Sequence, residues 1–126
     1  MLIETGLGVL HLFLTPVAGR TVDTETVTTA VKTAQAAQAQ VVTAALLGHK
    51  ADVAVMALHR DWAVLRRLQS DLQASGLAVV DSYVSITEVS EYAKGLPEHM
   101  LQERLYPQLP PEGKPIFCFY PMTKRR

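Results

Sequence analysis

Two different periods of apolar residues alternate along the first part of the chain, and they predict strands and helices in turn. Residues 8–14 are nearly all apolar without helical gaps, which is typical of a strand buried on both faces. Asp23 or Thr24 then caps a predicted helix, because apolar residues recur at three- and four-residue spacing. These residues are Val27, Ala30, Val31, Ala34 and Ala37.

The next two apolar runs predict a hairpin. Residues 41–47 and residues 52–58 each have strand-like composition, and Gly48-His49-Lys50-Ala51 joins them as a tight connection. The short connection requires the two strands to be antiparallel neighbours.

A second helix and a fourth strand complete the pattern. Asp61 begins the predicted helix and Gly76 ends it. Its inward positions are leucines at helical spacing, namely Leu65, Leu68 and Leu72. Residues 82–89 are rich in β-branched side chains and predict the fourth strand.

The element order βαββαβ predicts an α+β fold of the ferredoxin-like type, as found in dimeric α/β-barrel proteins. In this fold two helices cover one face of a four-stranded antiparallel sheet, and nothing in residues 1–92 is expected to cover the other. Yet the strands are apolar on both sides, since Val9 and Phe13 oppose Leu12. Such a surface predicts a second sheet packed against the first at about 10 Å.

The composition divides the chain into three parts. Residues 1–92 form the predicted ferredoxin-like domain, and residues 93–115 form a proline-rich connector with one helical candidate at residues 98–105. Residues 116–126 are strongly β-prone and exceed the strand count of the first unit. We expect them to be the first strand of a second, incomplete unit.

Charge and cysteine content narrow the partners and the compartment. Lys and Arg number 12, as do Asp and Glu, so the overall charge offers no attraction for nucleic acid or an anionic membrane. The apolar opening is too short to span a bilayer and has no basic residues before it. Cys118 has no internal disulfide partner. A cytoplasmic location is therefore expected, and the four histidines show no metal-site spacing.

Residues 117–126 carry a specific motif. The segment Phe117-Cys118-Phe119-Tyr120-Pro121-Met122-Thr123-Lys124-Arg125-Arg126 resembles the FYPM-x-KRR signature of coproheme decarboxylases in the chlorite dismutase family. Three other stretches agree in order and spacing, and all precede the motif. They are residues 48–52, residues 82–85 leading into Glu88, and Arg104-Leu105-Tyr106-Pro107.

The resemblance implies an architecture in which this chain is the N-terminal half of the enzyme. Members of the family are built of two ferredoxin-like halves packed sheet to sheet, and their subunits commonly form a pentameric ring. Their porphyrin lies mostly in the C-terminal half, which carries the iron-coordinating histidine. A complementary half, a homo-oligomer and an iron ligand from outside this chain are therefore expected. The opening strand departs from the family because it lacks a tryptophan and an Asp-Phe-Arg feature near residues 10–14.

The resemblance also implies a reaction and its catalytic residues. Fe-coproporphyrin III would be both substrate and cofactor, and hydrogen peroxide would drive oxidative decarboxylation of two propionates to give haem b. Tyr120 occupies the position of the motif's tyrosine, whose phenol gives up an electron and a proton together. Lys124 would pair its ammonium with a propionate and return a proton.

Four further residues are implied to contact the porphyrin. Met122 would pack on its face, Tyr83 would hydrogen-bond a propionate, and Arg104 would bind a second carboxylate with its planar guanidinium. Arg125, in the basic end of the motif, is a further carboxylate candidate.

Two other functions remain compatible with this fold. One is a non-catalytic ferredoxin-like module that binds a tetrapyrrole or another small apolar molecule between two sheets. The other is a monooxygenase-like dimeric α/β barrel. Fold alone does not separate them, and the motif favours the decarboxylase.

Overall fold

A computed structural model describes residues 1–123 and 125. Six elements build the domain, and a short 3-10 turn at Glu91–Ala93 and a third helix follow it. The elements are β1 (Gly8–Pro16), α1 (Thr24–Ala36), β2 (Gln40–Ala45), β3 (Val53–His59), α2 (Trp62–Ala74), β4 (Leu77–Ile86) and α3 (Glu98–Leu105). None of the helices in this described part of the chain has the length and apolar character needed to cross a membrane.

The four strands form one antiparallel sheet in the order β2-β3-β1-β4. The predicted α+β, ferredoxin-like fold is confirmed. Because β1 is paired on both sides, Leu12 lies opposite Val55 on β3 and Ser82 on β4. β2 and β4 are the edge strands of the sheet.

The two helices bury one face of the sheet, which we call the helix face. Its most buried side chains are leucines from β1 and α2, namely Leu12, Leu14, Leu68 and Leu72. Both helices begin at aspartate caps, whose carboxylates accept backbone N–H bonds from Thr26 and Ala63 respectively. The predicted cap at Asp23 and the predicted helix start at Asp61 are confirmed.

The largest differences from the predicted strand boundaries are in β4 and β2. β4 begins at Leu77, five residues earlier than expected, because Gly76 has a φ of 98° and turns the chain directly from α2 into the strand. β4 also ends three residues earlier than expected, and Thr87, just beyond it, bonds the connector instead. β2 ends at Ala45 rather than Leu47, whose side chain is fully exposed.

The segment at residues 115–123 is not a strand in this structure, contrary to the prediction for residues 116–126. A β-strand needs a hydrogen-bonded neighbour, and the described residues provide no strand partner for this one. Despite its β-prone composition, the segment therefore has an irregular backbone. Its assignment to a second unit stays a prediction.

Candidate functional site

The side of the sheet away from α1 and α2 carries the candidate site, and we call it the open face. Alternation along each strand places on it the residues that lie between the buried leucines. On β1 these are Val9, His11 and Phe13, and the strand registers add Ala54, Met56 and Leu58 from β3 and Tyr83 from β4. The open face is therefore apolar at its centre, with one imidazole and one phenol.

The turn between β2 and β3 folds over one end of the open face. The His49 ring lies 5.2 Å from the Phe13 ring, and its Nδ1 accepts a hydrogen bond from the Ala51 backbone N–H at 3.0 Å. Lys50 forms an ion pair of 3.0 Å with Asp81 on β4. This pairing holds the pKa of the Asp81 carboxyl below its usual range, with help from a hydrogen bond from the Ser82 N–H. The ion pair therefore joins the β2–β3 turn to β4, which lies on the other side of β1.

The C-terminal segment, residues 115–123, covers the middle of the open face. Phe117 and Phe119 are half-buried and pack against Phe13 and its neighbours. The Phe119 ring lies 4.6 Å from His11, 5.2 Å from Phe13 and 5.1 Å from Tyr83, measured between ring centroids. The expectation that nothing in residues 1–92 covers this face is wrong at one end, where the β2–β3 turn packs on Phe13. The motif segment provides further cover at the middle of the face.

His11 is the polar group at the centre of this cluster. Its Nδ1 atom is buried and has no hydrogen-bond partner among the described residues. Burial lowers the pKa of His11 below its ordinary value of 6.5, because the charged form loses solvation. The imidazole under Phe119 is therefore neutral at pH 7.

A cleft of about 1090 Å³ opens beside this cluster. Its floor is the apolar part of the open face near β2, including Phe13, Val42 and Met56. Its walls are the β2–β3 turn and residues 109–111, 114–117 and 119–121. Its volume slightly exceeds the usual range for small-molecule sites, which is roughly 300–1,000 Å³.

The structure brings together two of the six predicted site residues. Tyr83 and Tyr120 both line the cleft, with 39% and 70% of their surface exposed. Arg104 lies on the last turn of α3 and does not line it.

The other three predicted residues belong to the end of the motif. Met122, which is 84% exposed, and Arg125 do not line the cleft. Lys124 lies outside the described residues. The roles of all six residues stay predictions.

Three residues of this region were not singled out from the sequence. Lys114 lines the cleft and is a further cation that could bind a carboxylate. It lies in the irregular connector, where no periodic pattern predicts the direction of a side chain. His11 could have been found, because it shares the two-residue phase of Val9 and Phe13. The packing of Phe119 on the open face could not be predicted from the sequence, because it depends on tertiary structure and not on a local pattern.

This arrangement suits one class of ligand. An apolar floor with phenols and an ammonium at its walls can bind a flat apolar molecule that carries carboxylates. Across residues 1–123 and 125, His, Cys, Asp and Glu side chains form no group of three or more that could hold a metal ion.

The family model described as chlorite dismutase matches residues 20–126. A protein of Natronomonas pharaonis, named as a candidate heme-binding protein, is 40% identical over 98 residues, which is 64% of this chain and 16% of that protein.

Two solved structures have the same fold. A heme-binding protein from Thermus thermophilus matches with a TM-score of 0.64 and 23% identity over 84% of this chain. A candidate chlorite dismutase matches with a TM-score of 0.59 and 17% identity over 79% of this chain. The chain spans about half the length of these two structures, 51% and 50%. Since the family model covers most of its residues, the chain belongs to the chlorite dismutase family.

Proposed function

We propose that this chain binds an iron porphyrin and forms the N-terminal half of a coproheme decarboxylase. The observation that carries the proposal is the cleft in which Tyr120, from the FYPM motif, lies with Tyr83 and Lys114 over an apolar floor. The family membership and the relative named as a candidate heme-binding protein support haem binding. The choice of coproheme rests on the motif.

The residues that line the cleft fit one side of a porphyrin site. Phe13, Val42 and Met56 offer an apolar surface to the macrocycle, and Lys114 and Tyr83 offer one cation and one hydroxyl to its propionates. From the resemblance, Met122, Arg104 and Arg125 would add contacts from outside the cleft. The iron ligand would come from a complementary half that packs on the open face.

Tyr120 would carry the hydrogen-atom transfer. When bound, the iron porphyrin and peroxide supply the oxidising equivalents. The Tyr120 phenol would give up its hydrogen atom to that oxidant and then take one from the β-carbon of a propionate. The remaining electron of the carbon radical would pass to the oxidant as carbon dioxide leaves. Each propionate becomes a vinyl group, with release of carbon dioxide and reduction of one peroxide to two waters. Lys124 would hold the propionate by charge and return a proton.

A second candidate is a tetrapyrrole-binding module without catalysis. It is favoured by the placement of Arg104 away from the cleft, because Lys114 is then the one Lys or Arg among the described lining residues that would bind carboxylates of the ligand. In this case Tyr120 would be a binding aromatic only.

The test is to add ferric coproporphyrin III and hydrogen peroxide to the native protein with any polypeptide that accompanies it. The mass of the porphyrin is then followed. Two successive losses of carbon dioxide, abolished in Tyr120→Phe, are expected. The matched control is Tyr92→Phe, since Tyr92 is 84% exposed and does not line the cleft. Binding without mass change would overturn the enzyme and support the module, and no binding would overturn both.

A further inference from the structure

The Gln40 side chain binds the connector through both ends of its amide. Its Nε2 donates to the Pro107 carbonyl oxygen at 2.7 Å, and its Oε1 accepts from the Leu109 backbone N–H at 2.6 Å. Gln40 is the first residue of the edge strand β2, opposite Leu58. One side chain therefore fixes two backbone groups that lie two residues apart.

The same stretch is bound at the opposite edge of the sheet. Thr87, directly after β4, donates its hydroxyl to the Leu105 carbonyl at 2.6 Å, and the Tyr106 hydroxyl accepts from the Gly6 N–H at 3.1 Å. The chain thus passes from the β4 edge to the β2 edge between Leu105 and Leu109. Hydrogen bonds to the domain therefore hold both ends of this short crossing.

The direction of the C-terminal segment depends on where this crossing ends. From Leu109 the chain turns back and places Phe119 over His11 and Phe13. Three prolines between these points restrict the backbone, namely Pro110, Pro111 and Pro115. A proline-restricted segment has fewer conformations than a glycine-rich linker, so the position of its end depends more closely on the position of its start.

We infer that Gln40 is a positioning residue, which holds the connector at the β2 edge so that Phe119 and Tyr120 lie over the open face. Its effect on the chain's path stands on the geometry alone, and its effect on catalysis rests on the proposed function. Gln40 does not line the cleft, so it acts through the segment that it binds.

The chemistry of the two bonds supplies a specific test. The site requires one donor and one acceptor side by side. Gln40→Met keeps the length of the side chain and loses both bonds. In Gln40→Glu, the neutral carboxylic acid can donate to the Pro107 carbonyl and accept from the Leu109 N–H, whereas the carboxylate repels that carbonyl. Bonding to the neutral form raises the pKa of this carboxyl above its ordinary value of about 4.3.

The chain provides its own probes, because it contains one tryptophan, Trp62, and one cysteine, Cys118. Cys118 is exposed and lies between the two covering phenylalanines. A fluorescence acceptor on Cys118 reports the distribution of its distances from Trp62 by time-resolved energy transfer. The protein is measured in its native form, and the control is Gln102→Ala, which removes only a surface bond to Glu98.

We expect Gln40→Met to broaden the distance distribution at every pH. Gln40→Glu should match Gln40→Met at neutral pH and approach the wild type as the pH is lowered through its carboxyl titration. Comparison at each pH with the wild type and Gln40→Met removes other pH effects. The inference would be overturned if the distance distribution of Gln40→Met were as narrow as that of the wild type. It would also be overturned if the distribution of Gln40→Glu stayed equal to that of Gln40→Met at every pH down the titration. Gln40→Glu keeps the test valid if Gln40→Met folds poorly.

Porphyrin decarboxylation, measured on the same variants, separates the two proposals. Gln40→Met should lower the rate of carbon dioxide loss by roughly tenfold or more, since small misplacements of a reacting group are costly, while porphyrin affinity changes less. If the wild type ignores iron porphyrins but the distance distributions respond, the proposed function fails and the positioning role stands. If the wild type decarboxylates coproheme but Gln40→Met keeps the wild-type distribution and rate, the positioning role fails alone.

Discussion

The two faces of the sheet are stabilised in different ways. The helix face is a continuous core in which side chains of β1 and α2, such as Leu12 and Leu72, are completely buried. The open face has Phe13 at its centre, and part of its cover comes from Phe119, more than a hundred residues along the chain. The first face is complete within the domain, whereas the second depends on distant residues and, in our proposal, on a complementary half.

The largest difference between the faces should appear in stability. Leu12→Ala leaves a cavity between the sheet and its helices and should lower the free energy of unfolding by about 3 kcal/mol. Val42→Ala, in the partly exposed floor of the cleft, should cost about 1 kcal/mol or less, because its neighbourhood is open to water. Urea denaturation followed by circular dichroism measures both. Equal costs would show that the open face is packed like the core.

The cover of the open face can be removed with one substitution. Phe119→Ala deletes the ring that contacts His11, Phe13 and Tyr83, and should lower the free energy of unfolding by about 1–2 kcal/mol, less than a fully buried aromatic. It should also raise the pKa of His11 toward 6.5, because the imidazole regains water. NMR titration of the histidine resonances checks this. An unchanged His11 pKa would mean that Phe119 does not bury it.

The buried imidazole should make stability depend on pH. Since the folded-state pKa of His11 lies below its ordinary value of 6.5, the unfolded chain binds more protons in the window below that value. The stabilisation is complete above about pH 6.5 and is lost as the pH falls through the folded pKa. His11→Leu should flatten this part of the urea-midpoint profile. His99→Leu, on the exposed side of α3, is the matched control and should keep the parent's profile.

The smallest effect is expected at the ion pair that fixes the turn. Lys50→Met removes the bond to Asp81, but both side chains remain in contact with water, and surface pairs of this kind contribute little to stability. We expect the urea midpoint to stay at the wild-type value, while the pKa of Asp81 rises toward normal in an NMR titration. A clear loss of stability would show that the turn over Phe13 holds the open face together.

The difference between the faces also explains what the sequence could predict. The helix face follows from local signals, since the spacing of Leu65, Leu68 and Leu72 and the caps at Asp23 and Asp61 act within one element. The predicted start of β4 is wrong because a glycine after a helix usually begins a loop, whereas Gly76 leads from α2 directly into the strand.

The open face was less predictable because its contacts join residues distant in sequence. Residues 116–126 were expected to form a strand from composition, but β-propensity is satisfied only where a pairing partner exists. Tyr83 and Tyr120 were named from the family resemblance, and both line the cleft. Lys114 was not named, because an irregular connector has no period from which side-chain direction can be predicted.

Native mass spectrometry of the protein isolated with its natural associates and incubated with ferric coproporphyrin III tests directly whether the open face binds a second half and a porphyrin. We expect this chain in a complex with a second ferredoxin-like half, joined to it or separate, with one iron porphyrin for each pair of halves. A stable single copy of residues 1–126 that takes up no iron porphyrin, with the open face accessible to water, would contradict it.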